Sequence, residues 1–359
     1  MKYLVLFAIF TLFSACSENN TAGGTSEEAE GIVAIKDREI SGVTQKGPFL
    51  MGSSVTIQEL DGETLVQTGR SFKASVKSNS GDFAVKSVNL ASQYALLEVN
   101  GYFYNEVTGE NSEGMISLNA LTDLTNRNNV NVNVLTHLET DRVLNLVQKQ
   151  GMSFTKAKKQ AESEIYSSFG FLSNTESPED MDIFSLENGG DALLALSVLM
   201  LGNCPVADFS ERLALAARSF AENGNWHGLE KDETADWAYQ IERGSLGEFE
   251  NDSEGKVSLS KIYDNVNSWI QRDNPHYSYF PTIDGFLYKF WTNEYNLGQC
   301  NRNHAGNKKK VTNIHSKYYN KDFVCYYSYD YSCTDDDDGF LECRWYLAED
   351  PFLSELNNQ

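Results

Sequence analysis

Apolar and polar positions along the chain fall into three regimes. From about residue 40 to 124 the period is two. In SVTIQEL (Ser54–Leu60) apolar and polar side chains alternate, residues 72–77 (FKASVK) alternate again, and Phe83-Ala84-Val85, residues 94–99 and residues 102–107 follow. Asp61-Gly62, Asn79-Ser80-Gly81-Asp82 and Asn100-Gly101 separate these runs. Short alternating runs at regular spacing, parted by Gly, Asn and Asp, predict an antiparallel β-sandwich.

From about residue 128 the period lengthens. Phe154, Ala157, Ala161, Ile165 and Phe169 recur three or four positions apart, with Ser153 placed to cap the start and Gly170 to stop the end. That is the pattern of an amphipathic helix. Residues 191–201 (DALLALSVLML) are apolar on every side and too short to span a bilayer, which predicts the central helix of a bundle. Further helices are expected over 132–149, from Ser210 to Asn223-Gly224, over 232–243 and over 259–272. In the last of these, Ile262, Val266, Trp269 and Ile270 form the buried stripe and Pro275 follows. About six helices should pack as one all-α domain. Beyond about residue 277 neither period holds: 11 of the 18 tyrosines and four of the six cysteines lie there.

The start of the chain has a different logic. Met1-Lys2-Tyr3 precedes an apolar run over residues 4–13, and Ser14-Ala15-Cys16 ends it. One positive charge, a short apolar run and small residues are the grammar of a secretory signal, so residues 1–15 are expected to be removed. Leu12-Phe13-Ser14-Ala15-Cys16 resembles the bacterial lipobox, with Phe13 where that motif most often has Leu. The resemblance implies cleavage before Cys16 and acylation of its thiol. Residues 18–31 (ENNTAGGTSEEAEG) have no apolar face and read as a flexible tether. Ser17 is not the acidic residue that retains such proteins at the inner membrane, so by resemblance to bacterial sorting rules the outer membrane is favoured.

Other stretches resemble known modules. Ile40-Ser41-Gly42-Val43, Gly47-Pro48-Phe49, Gly52-Ser53-Ser54-Val55-Thr56-Ile57 and Gly81-Asp82-Phe83 resemble the carboxypeptidase-regulatory-like sandwich, which implies a spacer or support beside other domains. Residues 131–138 (NVNVLTHL), Gly151-Met152-Ser153-Phe154 and Ala157 resemble the stretch that follows the sandwich in uncharacterised lipoproteins of fibre-degrading and marine bacteria. Phe290-Trp291-Thr292-Asn293, Leu297-Gly298-Gln299-Cys300, Tyr318-Tyr319, Phe323-Val324-Cys325 and Arg344-Trp345-Tyr346-Leu347-Ala348 resemble a small Cys/Tyr/Trp module in secreted proteins of fibre-degrading bacteria. None of these likenesses brings an activity with it.

Charge narrows the partners. The formal charge is −22, and loss of Lys2 with the leader makes it −23. A surface this acidic argues against nucleic acid or anionic lipid headgroups. The one basic run, Lys308-Lys309-Lys310, reads as a solvated loop. Cys204 sits in an apolar helical stretch as an ordinary free thiol. Outside the cytoplasm Cys300, Cys325, Cys333 and Cys343 read as two disulfides with three possible connectivities, of which we favour Cys300 with Cys325 and Cys333 with Cys343. Their spacing, and that of His304 and His315, does not match a zinc site.

No catalytic residue is nominated. The five histidines fit no nucleophile elbow or His-Glu-x-x-His helix, and His137 reads as a structural helix residue. Among 51 acidic residues no pair is singled out for glycoside hydrolysis, which needs two carboxyls a fixed distance apart. Asp335-Asp336-Asp337-Asp338-Gly339 fails the calcium-loop pattern, because Trp345 falls where a bidentate Glu is required. Tyr326, Tyr327, Tyr329 and Tyr331 are the candidate ligand-binding rings, since aromatic faces pack on sugars and anchor protein partners; the competing reading makes them the core of a small module.

The expected fold class is multidomain α+β: residues 1–15 as leader, 16–38 as lipidated cysteine and tether, 39–125 as β-sandwich, 126–276 as all-α domain and 277–359 as a small disulfide-bonded β-rich module. The expected role is that of a membrane-anchored lipoprotein, outer-membrane or surface-exposed, without catalysis. Its expected partners are the membrane, through the lipid, and a polysaccharide or another envelope protein. No cofactor and no metal are expected. A hydrolase acting on polysaccharide is the alternative.

Overall fold

A computed structural model describes residues 31–170, 176–185, 189–244, 257–272, 282–327 and 343–350, and Leu353. The leader, Cys16, almost all of the tether, Tyr329, Tyr331, Cys333 and Asp335 to Asp338 lie outside the described residues. The first part of the compact unit, which comprises residues 32–359, is built from β1 (Ile35–Gln45), β2 (Ser54–Leu60), β3 (Gln67–Ser75), β4 (Asp82–Leu90), β5 (Tyr94–Gly101), β6 (Tyr104–Asn105), β7 (Glu110–Asn111), β8 (Ile116–Asp123) and β9 (Val132–Asn133). Helices follow: α1 (Val134–Gln150), α2 (Phe154–Phe169), α3 (Gly190–Leu201), α4 (Val206–Asn223), α5 (Leu229–Gly244), α6 (Leu259–Ile270) and α7 (Asp284–Glu294). The chain closes with β10 (Lys308–Lys310), β11 (Asp322–Tyr327) and β12 (Cys343–Leu347).

The alternating segments make two sheets. One is antiparallel in the order β3-β2-β5-β8; the other has the order β4-β1-β9, with β1 antiparallel to β4 and parallel to β9. Pairing puts Val55 opposite Val99 and Ile57 opposite Leu97, while Leu97 and Val99 in turn face Ala120 and Leu118. These side chains are fully buried, so the period-two pattern becomes a cross-strand stack of aliphatic groups. Ile40, Phe83, Val85 and Val88 of the other sheet belong to the same core. Gly81 turns at φ +88 where a Cβ would meet the Thr44 carbonyl, so this tight connection to β4 requires glycine.

The outer face of the four-stranded sheet is covered by helices. Leu60, Tyr94 and Leu121 form a second core with Val143 and Leu146 of α1 and Phe154, Ala157 and Ala161 of α2. Helix α1 starts in a capping box, in which Asn133 accepts from the Thr136 amide and the Thr136 hydroxyl accepts from the Asn133 amide. Helix α2 spans the predicted residues and ends on Gly170 at φ 71; Ser153 occupies the cap position but makes no side-chain cap bond. Helix α3 is buried along nearly its whole length, as an all-apolar helix must be. Among the described residues no single helix is long and apolar enough to cross a membrane, and α3 and α4 meet at a 113° bend.

Three departures from the sequence pattern have simple causes. Helix α4 begins at Val206 directly after Pro205 rather than at Ser210, because proline is well tolerated where the first amides lack helical partners. Residues 284–294, read as part of an aromatic module, form α7, whose Leu287, Phe290 and Trp291 are buried at helical spacing. Lys308 to Lys310 form the edge strand β10 and not a loop; all three are exposed, and lysines on an open edge discourage further strand addition.

Side-chain amides tie the layers together. Gln45 Nε2 donates to Asp182 Oδ1 at 2.7 Å and its Oε1 accepts from the Ile183 amide at 3.0 Å, while Asn133 Nδ2 donates to the Pro178 carbonyl at 2.7 Å. On the other side, Trp269 of α6 stacks on Tyr104 at 4.1 Å and donates to the Asn79 carbonyl at 2.7 Å. Leu97 stands at the centre of the aliphatic stack. Leu97→Ala is expected to cost about 3 kcal/mol, measured as a lower urea midpoint at unchanged slope; a loss under about 1 kcal/mol would show that the stack is not tightly packed.

Candidate functional site

The sequence points to the C-terminal sheet, so its residues come first. Strand β11 lies between β10 and β12, with Tyr326 opposite Arg344, Cys325 opposite Trp345 and Tyr327 opposite Cys343. A Cys300–Cys325 disulfide joins β11 to the segment after α7. Cys343 is also disulfide-bonded, its other half lying outside the described residues. Cys204 is a free thiol just after α3, and burial pushes its pKa up, which leaves it a weak nucleophile.

Most described aromatic rings of this region serve as core. Tyr239 of α5 makes edge-on contacts with Trp291, Tyr318 and Phe323 at 4.9, 4.8 and 5.3 Å. Tyr295 donates its hydroxyl to Asp236 at 2.8 Å, and burial together with that carboxylate holds its pKa far above the usual phenol range. Trp345 donates its ring N–H to the Gly298 carbonyl at 2.8 Å. Tyr326 is half-buried and packs edge-on against Tyr346 at 5.9 Å. Tyr327 is placed on β11 by its backbone, and Tyr329 and Tyr331 lie outside the described residues. Tyr319, 51% exposed, is a ring open to solvent that pattern reading did not single out.

Arginines fix this sheet to the helices. Arg344 pairs with Glu242 and reaches Asp284 at 3.2 Å, with its guanidinium 4.9 Å from the Tyr288 ring. Arg243 stacks over Tyr346 at 4.0 Å and pairs with Asp350 at 3.2 Å. Guanidinium groups suit this task because they stack and pair at once.

Two further ionic centres are enclosed elsewhere. In the first, Lys158 of α2 pairs with Glu139 of α1 and lies 3.5 Å from Glu179, and it donates to the Leu121 carbonyl of β8 at 2.9 Å. Ser177 donates to Glu162 Oε1 at 2.8 Å, and Arg127 pairs with Asp180. Burial disfavours the Lys158 ammonium, but Glu139, Glu179 and Glu162 outweigh it and the net direction is upward. Burial pushes Glu139 up to about 8 against the pull of Lys158. Both directions describe one ammonium crowded by carboxyls, of which Glu139 takes up a proton. In the second centre, Lys46 pairs with Glu106, and Ser197 of α3 donates to Glu106 Oε1 at 2.8 Å.

The carboxyls paired with Lys158 and Lys46 are enclosed. Glu139 is fully buried and Glu179 nearly so, whereas a general acid must reach a substrate. Among the described residues no group of three His, Cys, Asp or Glu side chains is arranged to hold a metal. Burial pushes His137 down to about 4, so it is neutral near pH 7. His227 Nδ1 contacts Ser219 Oγ, but that hydroxyl donates to the Asn225 carbonyl at 2.7 Å. The ring nitrogen is therefore the donor and cannot activate Ser219 as a base. No known protein family, curated protein or solved structure matches the chain.

The Glu139 centre sets a pH dependence. A carboxyl raised from its ordinary 4.5 to about 8 by folding contributes stability fully below its unfolded pKa and loses it as pH rises through the folded one. Glu139→Gln keeps the acceptor for Lys158 and removes the titration. Its stability relative to wild type, from urea unfolding, should therefore improve steadily between about pH 5 and pH 9; a constant difference would show that Glu139 does not titrate there.

Proposed function

We propose that the chain is a lipid-anchored protein of the bacterial cell envelope, held through Cys16, in which the folded body serves binding or assembly and not catalysis. The observation that carries this reading is the Cys300–Cys325 disulfide, with Cys343 engaged in another. Disulfides persist in oxidising compartments and are rare in the cytosol, so the bridge supports export by the N-terminal signal. Outer-membrane placement rests on Ser17.

The carboxypeptidase-regulatory-like reading, and with it a supporting role for this part, rests on Gly47-Pro48-Phe49 between β1 and β2 and on Gly81-Asp82-Phe83 at the start of β4. On the C-terminal side we assign binding of a polysaccharide or another envelope protein to the exposed Tyr319, the half-buried Tyr326 and the exposed lysines of β10. The hydrolase alternative gains nothing from Glu139, a carboxyl that burial pushes up to about 8, since it is fully enclosed.

Growth with a fatty-acid analogue should label the wild-type chain and leave Cys16→Ala unlabelled; equal labelling of both would end the anchor reading. Separately, residues 17–359 should bind at least one member of a panel of plant-wall polysaccharides, with Tyr319→Ala and Tyr326→Ala weakening the interaction at least several-fold, since stacked rings carry about 1 kcal/mol each. A uniformly negative panel would remove the carbohydrate version and leave the envelope-protein version to pull-down from solubilised membranes.

A further inference from the structure

The Lys46–Glu106 centre has features that a plain ion pair does not need. Lys46, directly after β1, is 0% exposed, and Glu106, directly after β6, is 1% exposed. The ammonium lies 5.5 Å from the centre of the Phe103 ring and 5.4 Å from that of Phe209. Glu106 Oε1 accepts from both Lys46 and Ser197, whereas Oε2 is enclosed with no partner among the described residues. Gly47, beside Lys46, packs so closely on the Tyr104 carbonyl that no side chain fits, so both backbones are fixed where the two side chains meet.

We propose that Lys46 and Glu106 become joined by a side-chain amide, with loss of one water.

In bulk water this condensation fails, because the ammonium has no lone pair, the carboxylate is a poor electrophile and solvent drives hydrolysis. The core reverses each obstacle. Burial disfavours the Lys46 ammonium against the pull of Glu106, and transfer of a proton across the contact converts two desolvated charges into an amine and a carboxylic acid. The amine is held against its electrophile, and intramolecular reactions so placed reach effective concentrations of about 10⁵ M or more. Nζ then attacks Cδ, and Ser197 donates to Oε1, the oxygen on which negative charge develops. Oε2 is the oxygen free to depart. The Nζ–Cδ bond forms and the Cδ–Oε2 bond breaks; two of the three ammonium protons leave with Oε2 as water, and the third stays on the amide nitrogen. No oxidant, metal or second substrate is consumed.

The test is mass spectrometry of the purified full chain after reduction of its disulfides. The expected mass is one water below that of the processed sequence. Digestion with trypsin should leave the bond after Lys46 uncut and yield a branched peptide joining the Lys46 segment to the Glu106 segment. Lys46→Arg and Glu106→Ala should each restore the full mass. Because wild type is itself decisive, the outcome does not depend on whether the variants fold. An unmodified mass with normal cleavage after Lys46 would overturn the proposal, as would a missing water mapped to any other pair of residues.

Discussion

The open edge of β8 is the constraint on which the rest of the structure depends. This strand ends the four-stranded sheet, yet its second half is buried on both faces, with Ala120 in the main core and Leu121 in the core beneath α1 and α2. A buried edge leaves backbone groups that water cannot reach, and they must find donors within the protein. Lys158 supplies one to the Leu121 carbonyl, and Arg38 donates to the Leu124 carbonyl just past the end of the strand. An ammonium placed there must itself be neutralised. Glu179 does so, beside Glu139 as acceptor, and the segment that carries Glu179 is in turn held by Asn131 and Asn133 of the stretch that includes β9. One unpaired edge thus dictates where α1, α2 and the connection after them must lie.

The same logic governs the C-terminal sheet in a different chemistry. Its strands are short, and the charges holding it are guanidinium groups stacked on rings. Arg344 and Arg243 bind β12 to α5 and α7 through Glu242, Asp284 and Asp350, while the disulfide fastens β11 to the chain leaving α7. Tyrosine abundance here is the consequence of packing a small sheet against helices: Tyr239, Tyr288 and Tyr295 fill space, and the Tyr288 hydroxyl accepts from the Trp345 amide while that of Tyr295 donates to Asp236.

Elements whose stability is local were legible in the sequence. Ser54–Leu60 and Phe154–Phe169 have the bounds that their periods imply, because alternation and helical spacing each describe one element against one apolar surface. Helix α7 was hidden: Phe290-Trp291-Thr292-Asn293 drew attention as an aromatic motif, although Leu287, Phe290 and Trp291 share one helical face. The ionic centres were not legible at all. Lys46, Glu106, Glu139 and Lys158 look like surface residues in any short window, and their burial is decided by partners far along the chain; Lys46 and Glu106 are 60 positions apart and Ser197 is 91 from Glu106. Of the three disulfide arrangements that spacing permits, the favoured Cys300–Cys325 pair is present in the structure.

Strand β1 has one more consequence. It is the first element of the compact unit, and it lies in the middle of its sheet, with β4 on one side over much of its length and β9 on the other near its end. Tension entering through residue 31 therefore acts on an interior strand and not on a terminal hairpin. Two neighbours must let go before the strand can be drawn out, and they bond to it in opposite chain directions. A body built in this order resists being unravelled from its first strand.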